Sequence, residues 1–185
     1  FRGRGRFENL DSDDAALEAE RSIAWTDSAQ LLFGLDAKGD PKSLKHASFA
    51  GGVLAKGGEA TATADSVTAD FDPAIADRPI LQHVNLTGAA SASDSQGGAL
   101  HAKSIDIRFA APSATEKEPA PQLLLARGDV EATSKGSTLR AQELDAQLGN
   151  DTEGKTTALF VNARDQVQIE GKDGLRAGCD ELAAD

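Results

Sequence analysis

Apolar residues recur at every second position along four segments of this chain. One parity carries Ala47, Phe49, Val53 and Ala55, then Val84, Leu86, Ala90 and Ala92. It carries Leu124, Ala126, Val130 and Ala132 in the third segment, and Val161, Ala163, Val167 and Ile169 in the fourth. The opposite parity is polar, with Ser48, Lys56, Asn85, Thr87, Arg127, Glu131, Arg164 and Gln168. A period of two marks a strand with one face on a core. These leading strands align on Gly51, Gly88, Gly128 and Asp165. A residue without a Cβ there suits a bulge or the close approach of a neighbouring backbone.

A trailing strand follows each leading one, and here the parity changes partway. Ala62 and Ala64 give way to Val67, Ala69 and Phe71, and Leu100 and Ala102 to Ile105, Ile107 and Phe109. Leu139 and Ala141 give way to Leu144, Ala146 and Leu148, and Ala177 and Cys179 to Leu182 and Ala184. A straight strand cannot send both sets to one face, so the pattern predicts a bulge or corner inside every trailing strand. Equivalent positions 26, 64, 102, 141 and 179 step by 38, 38, 39 and 38 residues, the regularity of a repeat architecture. Stacked corners bend a sheet along a line, so two apolar faces come together. The predicted fold is all-β: a folded antiparallel sheet (β-taco or β-jelly roll) of about five two-strand repeats. Their boundaries are 1–38, 44–76, 81–112, 122–150 and 157–185, within one domain over 1–185. Its two ends are open strand edges, which a protein must cap or use.

Turn chemistry supports this division. Lys56-Gly57-Gly58-Glu59, Ser95-Gln96-Gly97-Gly98, Ser134-Lys135-Gly136-Ser137 and Gly171-Lys172-Asp173-Gly174 are hairpin connections. The longer links at 34–43, 72–80, 110–121 and 149–157 join the repeats, and the Pro-containing 110–121 reads as an exposed loop. Phe1 to Leu10 alternates Arg with Phe and Gly, which predicts an edge strand with Arg2, Arg4 and Arg6 on one face. Those arginines suit either an anionic lipid or partner contact, or a solvated strand face. Ser12 is placed to cap a short helix running toward Trp25, in competition with a strand reaching back from Thr26.

Composition narrows the function classes. A chain of 185 residues buries a sizeable core without disulfides or metal. The net charge of -11 argues against nucleic acid as a partner. The apolar runs are too short to cross a bilayer. The chain begins at Phe1 and holds no Met, which suggests a processed or trimmed product whose leader or anchor would lie outside it. The three histidines, His46, His83 and His101, lack metal-ligand spacing, and no GxSxG or phosphate-binding loop is present, so neither an enzyme, a metal nor a cofactor is expected. Cys179 fills the slot of Ala64, Ala102 and Ala141, which predicts a buried, inert thiol. Trp25, the one tryptophan, is expected to pack at an end of the stack.

At this level of detail the repeats resemble a known family. Leading strands such as Asn85-Leu86-Thr87-Gly88-Ala89-Ala90 and Ala126-Arg127-Gly128-Asp129-Val130-Glu131 look like the x-G-x-V strands of OstA-like proteins. Leu139-Arg140-Ala141-Gln142-Glu143-Leu144 and Ala62-Thr63-Ala64-Asp65-Ser66-Val67-Thr68 look like that family's l-x-A-d-x-l strands. These are the LptA/LptC-type periplasmic components of lipopolysaccharide export, and the likeness covers roughly residues 44–185. It implies a periplasmic bridge that shelters the acyl chains of lipopolysaccharide, or of a similar lipid, between two sheets. It also implies that the chain joins other bridge components, or copies of itself, through its edge strands. The cleft-lining positions would be Phe49, Val53, Val67, Phe71, Leu86, Ile105, Phe109, Val130, Leu144, Leu148, Val167 and Ile169. The alternative is a purely structural β-repeat protein that oligomerises or docks through its edges and keeps those residues as ordinary core.

Overall fold

A computed structural model describes residues 1–8, 22–72, 79–111, 119–150 and 156–184. Eleven strands account for most of them, and no helix occurs among the described residues. They are β1 (Gly5–Glu8), β2 (Ser22–Trp25), β3 (Ser28–Leu35), β4 (Pro41–Gly57), β5 (Ala60–Asp72), β6 (Ile80–Ser93) and β7 (Ala99–Phe109). β8 (Pro121–Ser134), β9 (Ser137–Asn150), β10 (Thr156–Glu170) and β11 (Arg176–Ala184) complete the set. The position expected for a helix at Ser12 lies outside the described residues, as do 112–118 of the Pro-containing loop. All strands belong to one antiparallel sheet in the order β1-β2-β4-β5-β6-β7-β8-β9-β10-β11, with β3 also on β4, and the sheet does not close into a barrel. From β3 onward sequential neighbours pair, as a meander of repeats requires, while β2 and β3 both lie against β4.

Two lines of register shift cross this sheet and give it its shape. The first is the corner. In each leading strand two consecutive residues face a single residue of the trailing strand: Gly51 and Gly52 against Asp65, Gly88 and Ala89 against Lys103, and Gly128 and Asp129 against Gln142. Asp165 and Gln166 face Asp180 in the same way. All eight leading residues have positive φ, between 45° and 86°. The corner therefore sits where the parity change predicted it, but its extra residue belongs to the leading strand rather than the trailing one. Two left-handed residues in succession advance the leading strand by two positions, so its parity survives the bend. The trailing strand rounds the corner with one residue, and its parity switches.

The first repeat follows the same plan. Gly3 has a φ of 97° and its N–H donates to the Asp27 carbonyl, so β1 is the leading strand that precedes β2 and β3. The second line of shifts lies six residues before each corner, at Lys45, Gln82, Gln122 and Leu159. Each of these residues is an unpaired addition to a leading strand, near the open rim of the folded sheet.

Side chains from both sides of the corner meet in the interior. One inward row runs Ala29, Phe49, Val67, Leu86, Ile105, Ala126, Leu144, Ala163 and Leu182 across successive strands. Val53, Ala64, Ala90, Ala102 and Val130 come from beyond the corner and share the same buried cluster. Small Ala side chains opposite Val, Leu and Ile let the two layers approach closely, and no polar residue among those described is buried with them.

Candidate functional site

The interior changes character along the stack. At the N-terminal end Trp25 and Phe49 fill it, and Phe7 and Phe1 stack outward from them. Phe7 lies 5.0 Å from Trp25, Trp25 lies 5.3 Å from Phe49, and Phe1 closes over Phe7 at 6.2 Å. Gly5 is needed beneath this cluster, because a Cβ there would come within 2.3 Å of the indole. Trp25 thus packs at an end of the stack. In the middle, Val53, Ile105 and Val130 are almost completely enclosed. Toward the C-terminal end the core thins into a smaller cluster of Ala141, Ala163 and Val167.

Between the two layers here lies a groove of about 370 Å³, within the size range of small-ligand sites. Leu124, Leu144 and Val161 line it from one layer, and Leu100, Leu139 and Ile169 from the other. No ionisable residue lines it. Such a surface can hold a hydrocarbon, and its polar groups are the hydroxyls of Thr133, Ser134, Ser137 and Thr138.

The structure distributes the sequence-derived candidates unevenly around this groove. Phe49, Val53, Val67, Leu86, Ile105 and Val130 are buried in the main cluster, Leu144 is buried there and also lines the groove, and Val167 is buried in the smaller cluster. Phe71 and Leu148 are half-buried against the main cluster, and Ile169 lines the groove. Phe109 is half-buried apart from both clusters and faces a different cavity beside Arg108. Leu100, Leu124, Leu139 and Val161 are groove residues that the candidate set omitted. Their parity matches that of the chosen ones, but parity alone cannot tell which stretch of an apolar row stays unfilled.

The C-terminal edge overturns one expectation. Cys179 lies opposite Val167, as Ala64 does opposite Val53, yet its thiol is exposed. Ala64, Ala102 and Ala141 are covered by the repeat that follows each of them, and nothing among the described residues follows β11. The slot was right and the burial was not.

The outer face carries ordered charge. One outward row reads Arg2, Ser28, Ala50, Ser66, Thr87, Ser104, Arg127, Glu143, Arg164 and Glu181. Its last four members alternate in sign, with Arg127 3.5 Å from Glu143, and Arg164 3.9 Å from Glu143 and 3.7 Å from Glu181. Arg2 ends the row on the N-terminal edge and Glu181 ends it on the C-terminal edge.

A second outward cluster links four strands. His46 Nδ1 lies 2.7 Å from Asp70, while His83 has Nδ1 3.2 Å from Asp70 and Nε2 2.5 Å from Asp106. Only the imidazolium form can donate from both nitrogens. The bond to Asp106 above all, then that to Asp70, raises His83 above its ordinary 6.5, against the opposing effect of burial. Asp70 is held below its ordinary 3.8, chiefly by the bond from His46. The raised imidazole stabilises the fold fully below 6.5, and that contribution is lost as pH rises through the raised value. The lowered carboxyl contributes above 3.8 and is lost as pH falls through the lowered value. The urea midpoint should therefore decline as pH climbs past 6.5, and His83→Gln should flatten that decline. An unchanged slope would contradict the charged pairing.

Among the described residues no group of three or more His, Cys, Asp or Glu side chains is arranged to hold a metal ion. No protein-family model matches the chain, and no curated protein matches it in sequence.

Proposed function

We propose that this chain is a periplasmic bridge or scaffold protein of the OstA-like type, sheltering the acyl chains of lipopolysaccharide or a related lipid and joining its neighbours end to end. The observation that carries this reading is the apolar groove along β7 to β10, lined without a single ionisable residue. Sheltering a chain there gains about 0.8 kcal/mol per methylene, so the groove needs no charged anchor. The net charge of -11 keeps anionic head groups out in solvent.

The edges support the joining half of the proposal. If the β1 of a second copy pairs on β11 with the register that β10 keeps on β9, three rows continue across the junction. Arg2 then lies beside Glu181 and extends the alternating ion-pair row. Phe1 meets Leu182, and Phe7 meets Ala177. Phe1 is 77% exposed in the single chain, and β11 is exposed along nearly its whole length, as waiting edges would be. The alternative, a purely structural repeat that docks through its edges, requires the same junction and no lipid.

The lone tryptophan and the absence of tyrosine make the lipid question spectroscopic. Brominated stearate should quench the added emission of a Leu139→Trp variant and leave the wild-type signal from Trp25 unchanged, because the aromatic cluster fills that end. No quenching at position 139 sinks the lipid reading and leaves the structural one. Sedimentation tests the junction separately: Glu181→Arg should weaken self-association, and Arg2→Glu in the same chain should restore it.

A further inference from the structure

A second cavity, of about 510 Å³, lies along β5 to β8, and its chemistry differs from that of the groove. Its polar wall is Asp72, Gln82, His83, Asp106, Arg108 and Gln122, drawn from four adjacent strands. Ile80, Leu81 and Phe109 form an apolar wall. Gln82 and Gln122 are both extra residues of the bulges near the rim, six positions before their corners. A bulge re-aims a side chain, and these two bulges flank β7 from either side. The same positions in the outer repeats hold Lys45 and Leu159, so the amide pair is particular to this part of the stack.

The groups on the polar wall are planar and offer both hydrogen-bonding roles. The glutamine amides donate and accept, the carboxylates accept and the guanidinium donates. Asp72 and Asp106 balance Arg108 and the charged His83, which leaves no net charge to attract an ion. Asp106 Oδ2 takes hydrogen bonds from His83 and Asn85, while its buried Oδ1 accepts none and has Arg108 Nε 3.7 Å away. A buried acceptor without a donor is costly, and the Arg108 guanidinium is the donor that stands beside it. Vicinal hydroxyls on one face and C–H groups on the other are the chemistry that complements such a cavity.

We propose that this cavity binds a neutral saccharide unit, by hydrogen bonds to Gln82, Gln122 and Arg108 and by apolar contact with Phe109. The site is independent of the lipid groove and stands or falls without it. Isotope-labelled protein should be titrated separately with glucose, mannose, N-acetylglucosamine and glycerol, following the side-chain amide resonances of Gln82 and Gln122. The expected result is saturable movement of both amides with at least one sugar, at a Kd of about 1 mM. Gln82→Leu with Gln122→Leu, borrowing the side chain of position 159, should weaken that binding at least tenfold, and each single substitution should weaken it partly. The proposal is overturned if no sugar produces saturable shifts. It is equally overturned if glycerol reproduces them, or if the double substitution leaves binding intact while the backbone resonances of β9 to β11 stay in place.

Discussion

Truncating Ile105 to alanine should lower the free energy of unfolding by about 3–4 kcal/mol, the larger part of the range for a fully enclosed aliphatic residue. Ile105 is 0% exposed and sits midway along the inward row, between Leu86 and Ala126. The neighbours that would have to collapse into the space are held by ladders on both sides, so the cavity would persist. In a chain of 185 residues a loss of that size corresponds to roughly 10 °C in Tm. Ile169→Ala is the informative comparison. Ile169 already borders the groove and gives up fewer contacts, so its truncation should cost about 1 kcal/mol. Equal losses at the two positions, measured by urea titration, would mean that the interior is filled to the same density throughout and that the groove is not open. The pair of variants therefore tests packing and function together.

Much of the architecture could be read from the chain because side-chain alternation reports which face a residue occupies. The inward rows are the residues of one parity in each leading strand, and the corners fall where the trailing parity switches. What stayed hidden has a common physical cause: it depends on neighbours in the sheet rather than on neighbours in sequence. The aligned glycines pointed to a bulge in the leading strand, but two left-handed residues preserve parity, so the apolar pattern alone does not show the bend at Gly51 and Gly52. Gly3 repeats the Phe-x-Gly spacing of Phe49 and Gly51, but Gly5 stands where Val53 does, so the apolar row beyond that corner is broken. The bulged positions hold a lysine, two glutamines and a leucine (Lys45, Gln82, Gln122 and Leu159), so their common spacing from the corner leaves no single signature. The histidine cluster needs His46, Asp70 and His83 on three adjacent strands at one register, which no local pattern reveals. Cys179 had the right partner and the wrong burial, because burial in a stacked repeat comes from the following unit.

The corner itself yields the second large effect. Gly88→Val should destabilise the protein by about 3 kcal/mol, the sum of backbone strain and crowding. Gly88 has a φ of 76°, where a β-branched side chain is an outlier, and its Cβ would stand 2.7 Å from Cβ of Asp65 and 2.1 Å from Oδ2 of Asp65. The fourth repeat shows that the position is restricted but not closed, since Asp165 occupies it with a φ of 61°. Gly88→Asn, short and tolerant of the left-handed region, should accordingly cost only about 1 kcal/mol. Gly57→Val supplies the control. Gly57 ends β4 with open space around it and a φ outside the left-handed region, so a side chain there should shift stability by no more than about 0.5 kcal/mol. If Gly57→Val and Gly88→Val lost equal stability in urea titrations, the effect would belong to valine in the sheet and not to the bend. The expected order, Val at 88 worst, Asn at 88 mild and Val at 57 neutral, ties the loss to the left-handed corner. That corner brings the two apolar faces together, so a variant that relaxes it should also lose quenching of a tryptophan placed at position 139.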